Sequence, residues 1–292
     1  NSIGMKFVLI PPGEFTMGSP KELIDDELRV HGDDGWYKDR LPSEGPLHRV
    51  RTRKPFWLGA TTVTQEEYER VMGSNPSKFQ GDSKRPVEQV SWDDAVEFCR
   101  RLSESPGEKA AKRHYALPTN AQWEYACRAG SPDPWCFSRN GDQRWPSGDV
   151  MLLGEYGWFD ANSRGQTHAV AQRRANGWGL YDMYGNVWQW CQDWWDAGYY
   201  ATSPTDNPAG PSGGFYRVLC GGSWFNPAWQ CRSAYRFSTE PGNRSVDVDG
   251  GNRRLSFGVR VVLAISPWGG PGVPPKLEPE PPKPDRKPEP SR

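Results

Sequence analysis

The chain has 292 residues and carries 36 acidic and 36 basic side chains, so no net charge draws it to nucleic acid or to an anionic membrane. No apolar run approaches the ~20 residues that span a bilayer, and the length fits one large domain or two small ones. With 15 Trp, 32 Gly and 28 Pro, the core is expected to consist of large rings between turns rather than of Leu-rich helices.

In chain order, Met5–Ile10 reads as a strand, and Pro11-Pro12-Gly13 turns it into a second extended run over Glu14–Met17. Lys21–Pro42 is charged and carries Gly32 and Gly35, which predicts a surface insertion. Three capping boxes follow, each a Ser or Thr with an acid or amide three residues on. Thr64-Gln65-Glu66-Glu67 starts a helix through Met72. Ser91-Trp92-Asp93-Asp94 starts one through Ser103, with Ala95, Phe98, Cys99 and Leu102 on one face. Thr119-Asn120-Ala121-Gln122 opens a short helix ending near Gly130. Beyond it Asn, Gly, Trp and Pro dominate, and only short strands are predicted, at Arg217–Leu219 and Gly258–Leu263.

Ser266–Arg292 alternates Pro, Lys and Glu and cannot bury enough surface to offset its ordering entropy. It reads as an extended tail or linker behind a domain spanning 1–265. The six cysteines (Cys99, Cys127, Cys136, Cys191, Cys220, Cys231) show no CxxC spacing and no His partners at metal-binding intervals. They are expected to be reduced thiols packed inside a cytoplasmic protein. The chain opens on Asn1 with no signal peptide, so fusion to other domains upstream is expected.

The motifs Gly4–Ser19, Glu44–Val50, Phe56–Gly59, Val63–Tyr68, Arg85–Ala95, Leu117–Arg128 and Trp178–Trp190 come in order. A final frame follows: Arg217-Val218, Gly221-Gly222-Ser223-Trp224, Arg232-Ser233-Ala234-Tyr235-Arg236 and Phe257-Gly258-Val259-Arg260. Taken together they resemble the formylglycine-generating enzyme (sulfatase-modifying factor) family, from about Ser2 to Leu263. The resemblance implies an α+β, C-type-lectin-like fold with short strands, few helices and much irregular structure.

In that family two cysteines after the Gly-Gly-Ser motif hold copper(I), which with dioxygen oxidises a substrate cysteine to formylglycine. Here the first falls on Asn226 and the second on Cys231. Copper(I) favours paired thiolates, so a copper oxidase would have to rest on Cys231, with Cys220 as its partner. A related iron-dependent branch needs three histidine ligands, and His31, His48, His114 and His168 supply no pair at helical ligand spacing; His48 reads as a structural hydrogen bond. The resemblance also implies a structural calcium ion, held by Asp182, the carbonyls of Gly185 and Val187, and Gln189, where the family has a carboxylate.

Within and between the frame motifs stand Trp224, Phe225, Asn226, Ala228, Trp229, Tyr235, Phe237, Ser238, Ser245, Val246 and Val248. They show neither strand nor helix periodicity. That predicts an exposed, aromatic-rich surface for a protein or other ligand. The pattern resembles the variable region of proteins diversified by retroelements. Two readings stand at this point: a non-catalytic binding module, or a copper-dependent oxidase.

Overall fold

Alternating apolar residues followed by Pro11-Pro12 produce two short strands, β1 (Phe7–Ile10) and β2 (Gly13–Met17). The computed structural model describes residues 1–31, 38, 40–137, 147–247 and 254–265. The tail Ser266–Arg292 and Val248 lie outside the described residues, as do 32–37 and 39 of the expected insertion.

β1 pairs antiparallel with β4 (Phe56–Gly59), Phe7 opposite Gly59 and Ile10 opposite Phe56. β2 pairs with β3 (His48–Thr52) as a separate ribbon. The first sheet is completed by β5 (Arg113–Ala116) and β11 (Val262–Ile265), in the order β1-β4-β11-β5. The second sheet contains β6 (Trp188–Trp194), β7 (Arg217–Cys220), β8 (Arg236–Thr239), β9 (Ser245–Asp247) and β10 (Arg254–Gly258). Its order is β8-β7-β6-β10-β9, and only β6 and β10 run parallel.

All three capping boxes form. Thr64 caps α2 (Gln65–Met72), Ser91 caps α3 (Trp92–Glu104) and Thr119 caps α5 (Asn120–Arg128), the side chain in each case accepting from the backbone N–H three residues on. α4 (Pro106–Ala110) and α6 (Ser147–Tyr156) are short additions. No helix among the described residues is long and apolar enough to cross a membrane. The fold is α+β, with few helices and several small sheets.

Two sequence expectations are corrected. The first part of the expected insertion is a helix, α1 (Lys21–His31), which buries Leu23, Ile24 and Glu27. Positions 23, 24, 27, 28 and 31 share a helical face; the acid at 27 hides that face in the sequence. The strand expected over Gly258–Leu263 is two strands. The chain leaves the second sheet at the end of β10 and joins the first at β11, and Val259–Val261 cross between them. Gly258 permits the crossing: a Cβ there would lie 2.7 Å from Val187 and 2.8 Å from the Val87 carbonyl.

The rings pack inside. Trp188, Trp190, Tyr235, Phe237 and Phe257 form one cluster with Phe98, Cys99 and Leu102 of α3. Trp123, Met183, Tyr184, Cys191, Cys220 and Cys231 belong to a second. Each fully buried ring removes on the order of 200 Å² from water, a gross stabilisation of about 5 kcal/mol.

Candidate functional site

β7 delivers the chain to Gly221 and Gly222, both left-handed (φ 96 and 73). At Gly222 any side chain would strike the sulfur of Cys231, so the turn is closed on glycine. Ser223 then donates to Asn226 Oδ1 at 2.5 Å, and Asn226 Nδ2 donates to Gln230 Oε1. These three buried polar side chains brace the loop leading to the 3-10 turn at Ala228–Gln230. Asn226 is therefore an internal strut, and its amide is occupied on both sides.

The expected surface divides in two. Trp224, Phe225, Trp229 and Ser245 are half-buried. Asn226, Ala228, Tyr235, Phe237 and Ser238 are buried, which corrects the expectation that the whole segment is exposed. Tyr235 and Phe237 flank Trp188, at ring distances of 6.1 and 5.5 Å. Phe237 escapes the strand periodicity because β8 is buried on both faces, and Tyr235 stands just ahead of that strand. Val246 sits in β9.

Each half-buried ring is fixed from behind. Trp224 donates its indole N–H to Ser256 Oγ at 3.0 Å, while its carbonyl accepts from Ser163 Oγ at 2.6 Å. Phe225 and Phe79 meet Trp224 edge-on at 5.5 and 5.3 Å. Trp229 stacks on His31 at 4.4 Å and meets Tyr235 edge-on at 5.6 Å. The carbonyl of Trp229 accepts from Arg232 Nε at 2.7 Å.

Arg232 is the pillar that sequence reasoning missed. Its two terminal nitrogens donate to the carboxylate of Glu44 at 2.5 and 2.7 Å, and Ser19 donates to the same carboxylate. The only signal for the pair was the presence of Glu44 and Arg232 in ordered motifs. Beside it lies Glu27, which burial raises to about 7 against the lowering effect of Arg232.

The residues do not fit the copper centre. Copper(I) needs a pair of soft donors, and position 226 offers an amide already engaged with Ser223 and Gln230. Cys231 is fully buried, and burial pushes its thiol above the ordinary range. Cys220 lies on the strand side of the glycines. Its sulfur sits 3.7 Å from that of Cys191 and accepts from Asn120 Nδ2 at 3.3 Å. All six cysteines are free thiols.

Of the expected calcium ligands, Asp182 keeps its buried Oδ1 without a hydrogen-bond partner, but Gln189 offers no free oxygen. Gln189 Oε1 accepts from Trp123 Nε1 at 2.9 Å and Arg260 Nε at 2.7 Å, which uses both its lone pairs. Its amide nitrogen donates to the Asp182 carbonyl at 2.9 Å. Asp182 takes the Ala171 N–H on Oδ2, and burial raises its pKa. Gly185 and Val187 flank the same turn, with Val187 wholly in the core. The buried Arg260 guanidinium, donating to Gly59 and Tyr181 carbonyls, brings positive charge to the place where a cation was expected. Among the described residues no three His, Cys, Asp or Glu side chains converge to hold a metal. His48 makes the expected structural bond, its Nδ1 lying 3.0 Å from the Pro46 carbonyl.

A family model for the sulfatase-modifying factor enzyme 1-like domain matches residues 3–263. The chain is 37% identical over 202 residues to the formylglycine-generating enzyme of Streptomyces coelicolor, a match covering 65% of this chain and 58% of that protein. It is 31% identical over 264 residues to the serine/threonine-protein kinase pkn1 of Chlamydia pneumoniae, covering 81% of this chain and 36% of the kinase. It thus spans only part of the length of these two relatives. Among solved structures, Treponema denticola variable protein 1 matches with a TM-score of 0.69 at 28% identity, covering 90% of this chain and 97% of that one.

Proposed function

The chain belongs to the sulfatase-modifying factor enzyme 1-like family, and from that premise we propose that it is a non-catalytic binding module whose ligand contacts Trp224, Phe225 and Trp229. The observation that carries this reading is Asn226. The position that needs a thiolate holds an amide bonded to Ser223 and Gln230, and Cys231 is left without a soft partner there. The three half-buried rings, each braced from behind, offer contact area at low entropic cost. A full-length likeness to a variable protein supports diversification of this face. Variation between sibling genes would then fall on Phe225 and Trp229, while Tyr235 and Phe237, buried in the core, stay constant. The partial match to a kinase supports a module appended to a signalling domain, and free thiols suit a reducing compartment such as the cytoplasm.

The test is direct. Purified protein is incubated with copper(I), dioxygen and a cysteine-containing peptide, and the peptide mass is followed. The expected result is an unchanged peptide and no tight copper complex. Conversion of the thiol to an aldehyde overturns the reading in favour of an oxidase using Cys231 and Cys220.

A further inference from the structure

Beside Trp224 the surface continues onto a loop that the proposed function leaves unused. Trp158 is held between His168, stacked at 3.8 Å, and Arg173, whose guanidinium carbon lies 3.6 Å from the ring centre. Arg85 donates to the Thr167 carbonyl and to Gln166 Oε1, bringing a second guanidinium onto the same loop. Arg164, in a left-handed conformation, stands exposed on it. His168 is held below its ordinary pKa first by burial and then by the charges of Arg85, Arg173 and Arg164, so the three cations share one neighbourhood.

This loop is bonded to the aromatic face. Ser163 donates to the Trp224 carbonyl, and His168 Nε2 lies 2.7 Å from the Ser163 carbonyl. Lys78 Nζ stands 5.6 Å above the ring of Phe79, which packs against Trp224. Glu66 pairs with Lys84 and Glu155 with Arg174, while Asp160, exposed on the same loop, is a nearby carboxylate outside these ion pairs. Among the described residues no carboxylate pairs with Arg85, Arg164 or Arg173, and the buried Nε atoms of Arg85 and Arg173 have no hydrogen-bond partner. In a chain with no net charge, this is a local excess of unmatched donors.

We propose that this face binds an acidic peptide segment, its carboxylates meeting Arg164 and Arg173 on the loop that Arg85 holds in place, and its apolar side chains meeting Trp224 and Phe79. Planar guanidinium forks match carboxylates two bonds at a time. The half-buried rings give apolar residues of the same peptide a place to lie. A neutral chain lacks the continuous basic track that a nucleic-acid backbone needs. The inference rests on the binding-module reading and names the partner class of that module.

The test uses a fluorescent glutamate-rich peptide containing leucines, its lysine-for-glutamate counterpart and a labelled oligothymidylate, with affinities read by anisotropy at low and high salt. The acidic peptide is expected to bind, to weaken with salt, and to lose about fivefold or more in affinity with Arg164→Glu. Arg164→Lys, which keeps the charge, is expected to retain most of it. Arg164 is exposed and its side chain bonds to nothing described, so both variants keep the parent unfolding midpoint. Equal binding of the acidic and lysine peptides overturns the proposal, as does an acidic-peptide affinity that R164E leaves unchanged. Tighter, R164E-sensitive binding of the oligothymidylate overturns it in favour of nucleic acid. Aldehyde formation alongside intact acidic-peptide binding would defeat the module reading and leave this site standing; a failed peptide assay with no aldehyde would do the reverse.

Discussion

Arg232 and Glu44 are each 1% exposed, so neither charge can turn to water if the other is removed. Breaking such a pair costs about 3–5 kcal/mol, and Arg232→Met or Glu44→Gln is expected to lower stability by that order in urea unfolding. Glu27, beside the pair, behaves differently. Its folded pKa of about 7 exceeds the ordinary 4.5, because burial outweighs the pull of Arg232. A raised pKa means that the folded state holds the proton more tightly than the unfolded chain. The stability this gives is fully present below about pH 4.5 and is lost as pH rises through about 7. Asp193, also raised to about 7 by burial, acts in the same direction. Glu27→Gln should therefore flatten part of the fall in stability between about pH 5 and about pH 8. A slope identical to the parent's would show that Glu27 is ionised throughout.

The helices whose starts could be read are those whose stabilising contacts are local. Ser91 accepts from Asp94 N–H at 3.1 Å, and the Asp94 carboxylate accepts from Ser91 N–H at 2.9 Å, all within three residues. Ser91→Ala should cost about 1 kcal/mol, seen as a lower thermal midpoint; no change would mean that α3 is held by packing alone. The three boxes at Thr64, Ser91 and Thr119 were legible for this reason, as was the short strand at Arg217. The family frame likewise marked Asn226 as the position that decides between the two functional readings. What could not be read depends on distant partners. β6 looked irregular because its partners β7 and β10 are far away in sequence and its bulge between Trp190 and Trp194 disrupts the alternation. Phe237 looked exposed because β8 is buried throughout and therefore shows no period, and Tyr235 because it precedes the strand. The cationic loop at Arg164 and Arg173 was invisible, because Arg85 reaches it across 82 residues.

At the scale of the whole molecule, the chain is closed by β11, which enters between β4 and β5. Val262 stands opposite both Leu58 and Ala116. The last strand thus joins two segments of the first half of the chain, and its entry is fixed by Arg260, whose guanidinium ties the crossing to Gly59, Tyr181 and Gln189. Removing the chain from Val262 onward would expose the ladder edges of β4 and β5 together. Truncation before Val262 is therefore expected to give insoluble or unfolded protein. Ending the chain after Ile265 removes a segment rich in Pro, Lys and Glu whose large apolar side chains are only Trp268, Val273 and Leu277, too few to offset its ordering entropy, and the unfolding midpoint should stay that of the full chain. A shorter chain that ends at 265 and unfolds at lower denaturant would mean that the Pro-rich segment packs on the domain. In that case the boundary after Ile265 would be wrong.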